Sequence, residues 1–299
     1  MAERVSFYDQ ISRNKRNSVF LIAIIFAVFI LLGFIIGLVL GPDYFTIITI
    51  ASIIISVFYI WLGYYNSDKI ALASVGAKPA DHAKYRMLYN SVESMAIASG
   101  NPMPKVYIMP GEQINAFATG RNPQHAVICV TEGALSNLTK QELEGVIGHE
   151  MSHIGNYDIR FMTLVAVLVG MIAIISELFL RSLWFKGDSR DDNKANAILM
   201  LIGIVLAILA PVLVSLVQLA ISRKREYSAD ATAVKIIRSP TGLIGALKKI
   251  KSENEPVRKG QVSQAVAPLF IGDPFKKRVE GLFSTHPDIN DRIKILERM

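Results

Sequence analysis

Residues 139–155 read Thr-Lys-Gln-Glu-Leu-Glu-Gly-Val-Ile-Gly-His-Glu-Met-Ser-His-Ile-Gly. Thr139 and Glu142 stand three apart, the spacing of a capping box, so a helix opens here. Its apolar face is Leu143, Val146, Ile147, Met151 and Ile154. Residues four apart share a helical face, so His149 and His153 point the same way. Two imidazoles at that spacing can hold one zinc ion, each nitrogen about 2.0–2.1 Å from it. Glu150 then lies beside the metal, placed to take a proton from water. An ion held there lowers the pKa of adjacent water from about 15.7 to about 7. The chain has only five histidines, so a chance His-Glu-x-x-His is a poor explanation.

A zinc hydrolase needs a third protein ligand and an open fourth position. Arg223-Lys224-Arg225-Glu226-Tyr227-Ser228-Ala229-Asp230 offers Glu226 and Asp230, again four apart. By itself this pattern reads equally well as a solvated charged face. Beside the histidine helix, Glu226 becomes the third ligand. Asp230 becomes the acceptor that holds a ligating ring by its other N–H. Asp158, five residues after His153, either orients a ligand or caps the helix end, and a capping or structural role is favoured.

Outward from these segments the chain is apolar. Of 299 residues 52% are hydrophobic and 19% charged, with a mean hydropathy of +0.37. Val19–Leu40 and Tyr44–Tyr64 carry no charge. Each has the roughly 20 residues that cross a bilayer core. Phe161–Leu180, with Glu177 near its far end, and Ala195–Ile221, broken by Pro211, are a third and fourth run. Four transmembrane helices are expected. For the last two the alternative is burial inside a soluble core. The first run is too long for a cleaved signal peptide, and no small-x-small site follows it.

Basic residues set the orientation. Arg4, Arg13, Lys15 and Arg16 precede the first run, and Lys69, Lys78, Lys84 and Arg86 follow the second. Arg223, Lys224 and Arg225 follow the fourth, while the link Gly41-Pro42-Asp43 has no Lys or Arg. The link between the third and fourth runs is mixed in charge. The expected protein is multi-pass in the plasma membrane, with termini and metal site cytoplasmic. The net charge of +7 is accounted for by basic flanks beside anionic lipid, without nucleic acid. Cys129 is the sole cysteine, which excludes an internal disulfide and a thiolate cluster. It is read as a small core residue.

The expected organisation follows: 1–64 is a cytoplasmic segment and two spans; 65–160 is the first part of the metal-bearing domain. Residues 161–221 form two spans with an outer loop, and 222–299 the second part of that domain. The two polar parts fold together. Asp81–Ala98 reads as a helix stopped by Gly100-Asn101-Pro102. Lys105–Met109 and Ala126–Val130 read as strands, with Asn115–Thr119 a third, at an edge. His153 stands eight residues before Phe161, and Glu226 five after Ile221. If helical, those gaps are about 12 and about 8 Å, so the metal sits close above the membrane surface.

Four stretches together resemble the HtpX family of membrane-bound zinc proteases, relatives of the CAAX prenyl proteases. They are Asn115-Ala116-Phe117-Ala118, His149-Glu150-Met151-Ser152-His153, Arg225-Glu226-Tyr227-Ser228-Ala229-Asp230 and Phe283-Ser284-Thr285-His286-Pro287. The resemblance covers nearly the whole chain. It implies a mainly α membrane protein with a zincin-like cytoplasmic protease domain carrying a small β-sheet. It also implies one zinc ion per chain, endopeptidase action of the gluzincin type on membrane proteins, and a part in quality control under stress. Asn115 and Ala116 resemble the edge strand that pairs with substrate backbone, where main-chain bonds hold an extended peptide. An ordinary turn and strand is the plainer reading. His286 is a candidate to steady the oxyanion, or a loop histidine before Pro287. Glu253–Gln264 reads as a polar segment that could cover the cleft.

Two rivals remain. One is a protease dedicated to a single substrate class. The other is a non-catalytic membrane protein with a structural zinc site, against which Glu150 argues, because a closed site has no use for a carboxylate beside it.

Overall fold

The computed structural model describes residues 7–168, 223–253, 269–272 and 287–299. The third apolar run beyond residue 168, the fourth run, their link, Glu177, Pro211, His286 and residues 254–264 lie outside the described residues.

The first two apolar runs are the long helices α1 (Phe7–Leu40) and α2 (Pro42–Ser74). Two windows within them, Ile11–Leu38 and Pro42–Ser74, are long and apolar enough to cross a membrane. Gly41 joins them at φ 102°, a conformation open to glycine at no steric cost. The pair is an antiparallel hairpin: a Cβ on Gly33 would lie 2.4 Å from the Ser52 side chain. Small residues at such contacts let apolar helices approach closely. Large side chains such as Phe20, Leu38, Ile47, Ile54, Phe58 and Trp61 point outward and are exposed. A hydrocarbon solvent suits that surface; water does not.

Beyond the hairpin lies a four-stranded sheet: β1 (Lys78–Pro79), β2 (Lys105–Met109), β3 (Ala116–Gly120) and β4 (Ala126–Thr131). The order is β1-β2-β4-β3. β2 and β4 run parallel, while β3 is antiparallel to β4, with Phe117 opposite Cys129. Both faces are covered. Val106, Ile108, Ala116, Ala118, Ile128 and Val130 meet the helical layer. Phe117, Val127, Cys129 and Met109 meet Leu72 and Val75 at the end of the hairpin. That explains why β4 reads as an unbroken apolar run instead of alternating.

The helical layer comprises α3 (Arg86–Ser99), the short α4 (Glu132–Asn137) and α5 (Lys140–Gly155). It is completed by α7 (Arg223–Ile237), α8 (Thr241–Ser252) and α9 (Ile289–Leu296). Residues 158–168, labelled α6, are helical and follow α5 after a two-residue turn. The expected capping box of Thr139 and Glu142 is present. α5 lies at the centre, against β3, α3, α7 and α8. Two glycines permit this. A Cβ on Gly145 would sit 2.5 Å from the Leu243 backbone nitrogen, and one on Gly148 2.8 Å from the Ile237 side chain.

The expected strands appear within a residue or two. The first helix of the polar part starts later than expected, at Arg86, after a turn in which the Lys84 amide donates to the Asp81 carboxylate. The sequence reading lacked β1, because two exposed residues give no alternation to detect.

Candidate metal centre

Three segments converge at one point. α5 carries His149, Glu150 and His153; α7 carries Glu226 and Asp230; α9 carries Arg292. All six are buried, none more than 5% exposed.

The two imidazole Nε2 atoms stand 3.2 Å apart. Glu226 Oε2 is 3.6 Å from His149 Nε2, and Glu226 Oε1 is 3.6 Å from His153 Nε2. Two ligands bound about 2.05 Å from one ion at a tetrahedral angle lie about 3.3 Å apart. The two Nε2 atoms stand at that spacing, and the Glu226 carboxylate faces both with a different oxygen toward each; one donor atom from each of the three residues lies within 4.8 Å of the others. Among the described residues these three form the His/Cys/Asp/Glu group able to hold a metal.

The far side of each ring is also held. His149 Nδ1 lies 2.9 Å from Asp230 Oδ1, and His153 Nδ1 lies 3.0 Å from Asp158 Oδ2. Each carboxylate accepts a hydrogen bond from the Nδ1–H and so turns the Nε2 lone pair toward the common point. For Asp158 this overturns the capping role favoured by the sequence. Asn156 ends α5, and Asp158 reaches back to the ring instead.

Asp230 is fixed in turn by Arg292. Nε donates to Oδ2 at 2.9 Å and Nη2 to Oδ1 at 2.7 Å, a two-point fork. Nη1 stands 3.7 Å from Glu226 Oε2 and donates to the Ile271 carbonyl at 3.4 Å. Sequence reasoning missed Arg292. Its surroundings, Asp288-Ile289-Asn290-Asp291-Arg292-Ile293-Lys294, look like a solvated surface helix. The available signal was its position on the apolar stripe with Ile289, Ile293 and Leu296.

Charge here follows from burial and pairing. Burial opposes a charged His149, but the hydrogen bonds its ring donates to Asp230 and Glu226 outweigh it and hold the pKa at about 9. His153 is raised as well, with burial opposed mainly by Asp158. Burial would push Asp230 up, yet Arg292 and His149 hold it well below the usual carboxylate range. Glu150 is raised by burial, against the pull of the two imidazoles and a hydrogen bond from the Ala118 backbone. A carboxyl poised upward is suited to taking and returning a proton.

Asn115 and Ala116, expected to bind substrate, do stand at the outer edge of β3. In this structure the chain's own residues fill that edge. Ile271 N–H donates to the Ala116 carbonyl at 3.0 Å. Gly272 N–H donates to Asn115 Oδ1 at 3.2 Å, and Asn115 Nδ2 donates to the Gly272 carbonyl at 3.0 Å.

A helical fold holding a buried His-His-Glu triad with an adjacent carboxylate is the arrangement of a metallopeptidase. A model of peptidase family M48 matches residues 82–299, and the chain belongs to that family. The Protease HtpX homolog of Caldanaerobacter subterraneus is 52% identical over 247 residues, 81% of this chain and 82% of the relative. That of Dictyoglomus turgidum is 42% identical over 298 residues, covering 98% and 95%. Among solved structures, the crystal structure of S. mikatae Ste24p superposes with a TM-score of 0.51 at 21% identity. The match covers 95% of this chain, which spans 65% of that structure's length. It shows a shared fold.

Two outcomes are expected. Arg292→Ala leaves Asp230 buried without its fork, a change that costs about 3–5 kcal/mol when a buried pair is broken. Arg292→Lys restores little, because an ammonium cannot make both bonds. Thermal unfolding of the three proteins measures this. The second concerns protons. The folded pKa of His149 lies above its ordinary 6.5. The charged ring therefore contributes stability below pH 6.5 that is lost as pH rises through about 9. A divalent cation must displace that proton, so zinc affinity should climb with pH and level off above about 9. Chelator competition across this range reads it directly, and a flat profile contradicts the assignment.

Proposed function

We propose that this chain is a membrane-embedded zinc endopeptidase that cuts membrane or membrane-associated proteins at the cytoplasmic face. His149, His153 and Glu226 are the metal ligands, one ion per chain, and Glu150 is the general base and acid. The observation that carries the reading is the buried Glu150 carboxylate next to a buried His149-His153-Glu226 group whose donor atoms lie within 4.8 Å of one another. A structural zinc site is closed by four protein ligands, whereas a catalytic one keeps a position open.

Bound zinc would supply Lewis acidity to the scissile carbonyl and make water acidic at neutral pH. The protein's own groups do the rest. Glu150 takes a proton from the attacking water and delivers it to the departing amine nitrogen as the C–N bond breaks. Asp230 and Asp158 hold the two imidazoles in the tautomer that leaves Nε2 free to ligate. Arg292 keeps Asp230 ionised. A peptide aligned on β3 would take the acceptors of Asn115 and Ala116 now engaged by Gly272 and Ile271. For His286, a role at the oxyanion rests on the sequence alone.

The membrane assignment is supported by the two long apolar helices and their outward-facing side chains. Four spans and a cytoplasmic site follow from the apolar runs and their basic flanks in the sequence. Quality control under stress follows from the family resemblance.

Purified full-length chain, stripped with chelator and reloaded with zinc, should cleave a model membrane protein. Glu150→Gln should bind zinc equally and cut about 10²–10⁴-fold more slowly, the usual contribution of a general base. Equal cleavage by both proteins would remove Glu150 from the mechanism. Zinc binding by both with no cleavage of any substrate would favour a structural site.

A further inference from the structure

The turn between α5 and α6 has an unusual backbone. Tyr157 sits at φ 60°, in the left-handed region that costs a side-chain-bearing residue roughly 1–2 kcal/mol. This conformation breaks the helix for two residues after α5, and Asp158 just beyond it lies against His153.

The turn is held from the foot of the first apolar helix. Asn14 lies at the basic end of α1 and is only 5% exposed. Its amide donates to the Asn156 carbonyl at 3.0 Å and to Asp158 Oδ1 at 2.6 Å. Its neighbour Lys15 places Nζ 4.4 Å from the centre of the Tyr157 ring, a cation–π contact. Further along, Leu21 and Ile25 of α1 pack with Phe161, Leu164 and Val165 of α6. Arg225 approaches the same Asp158 oxygen at 4.0 Å from the other side.

Asp158 uses its two oxygens differently. Oδ2 faces His153 Nδ1, and Oδ1 is bound by Asn14. A carboxylate pinned at one oxygen cannot rotate at the other, so a hydrogen bond from Asn14 fixes the plane in which the imidazole is held.

We propose that Asn14 is a positioning residue for the metal centre, acting through Asp158 on the His153 ring. The foot of the first apolar helix then belongs to the metal site, in addition to anchoring the chain. This rests on the reading of His149, His153 and Glu226 as metal ligands. Displacing α1 from the turn would loosen one ligand without touching it.

The test is a double-mutant cycle in the full chain, read as zinc affinity by competition with a chelator. Loss of a group that orients a ligand directly weakens metal binding about 10–100-fold, and Asn14 acts one step further out, so Asn14→Ala should cost about 3–10-fold. In an Asp158→Ala background the same change should cost almost nothing, because no oxygen is left there to link Asn14 to His153. Asn14→Asp keeps the side-chain volume but sets a second negative charge beside Asp158, and should weaken zinc more than alanine does. It carries the test if the alanine variant fails to fold. Zinc affinity unchanged in both Asn14 variants would overturn the proposal. So would a loss of equal size with and without the Asp158 change, which marks a general effect on folding. His149→Ala checks the underlying reading separately: if it binds zinc as well as the parent chain does, the ligand assignment fails, whatever Asn14 does.

Discussion

Every ionisable group at the centre of this protein is buried, and a buried charge is tolerable only when it is paired and hydrogen-bonded. His149, Glu150, His153, Asp158, Glu226, Asp230 and Arg292 are each no more than 5% exposed. Their pairing is sequential: Arg292 to Asp230, Asp230 to His149, Asp158 to His153, Asn14 to Asp158. Each link neutralises or orients the next. What remains turned to the common point is two imidazole nitrogens and the Glu226 carboxylate, the donor set for a borderline-soft divalent ion.

The rest of the fold can be understood as what brings these groups together. Glycines at 145 and 148 let α7 and α8 press against α5, so that Glu226 and Asp230 reach the histidines. The sheet supports α5 from below with alternate residues of β2, β3 and β4. Its edge strand passes the Ala118 backbone beside Glu150. The apolar hairpin meets the other face of the sheet and, at its polar foot, clamps the turn after α5. The first apolar helix thus reaches the metal centre through one carboxylate, Asp158.

Much of this was legible in the sequence because it lies in local spacing. His149, Glu150 and His153 declare themselves on one helix, and Thr139 with Glu142 marks where that helix begins. Glu226 and Asp230 were readable only once the first motif supplied a context. β2 and β4 were readable from their short β-rich runs between turn residues, and β3 only as a third strand beside them. The remaining parts depend on contacts between distant residues. Arg292 looks like a surface charge until α9 turns it toward Asp230, 62 positions away. Asp158 looks like a cap until the left-handed turn at Tyr157 sets it against His153. Asn14 lies among basic residues that read as a membrane flank, and nothing local points to a partner 144 positions on. Asn115 and Ala116 were placed at an edge, but the occupation of that edge by Ile271 and Gly272 is again a long-range fact.

The central claim is a three-ligand, open zinc site at this point. Crystals of the zinc-loaded chain, with anomalous scattering recorded at the zinc edge, address it most directly. The account predicts one peak per chain within bonding distance of His149 Nε2, His153 Nε2 and a Glu226 oxygen, with the remaining position free of protein. A peak elsewhere, or a fourth protein side chain closing the coordination sphere, would contradict it.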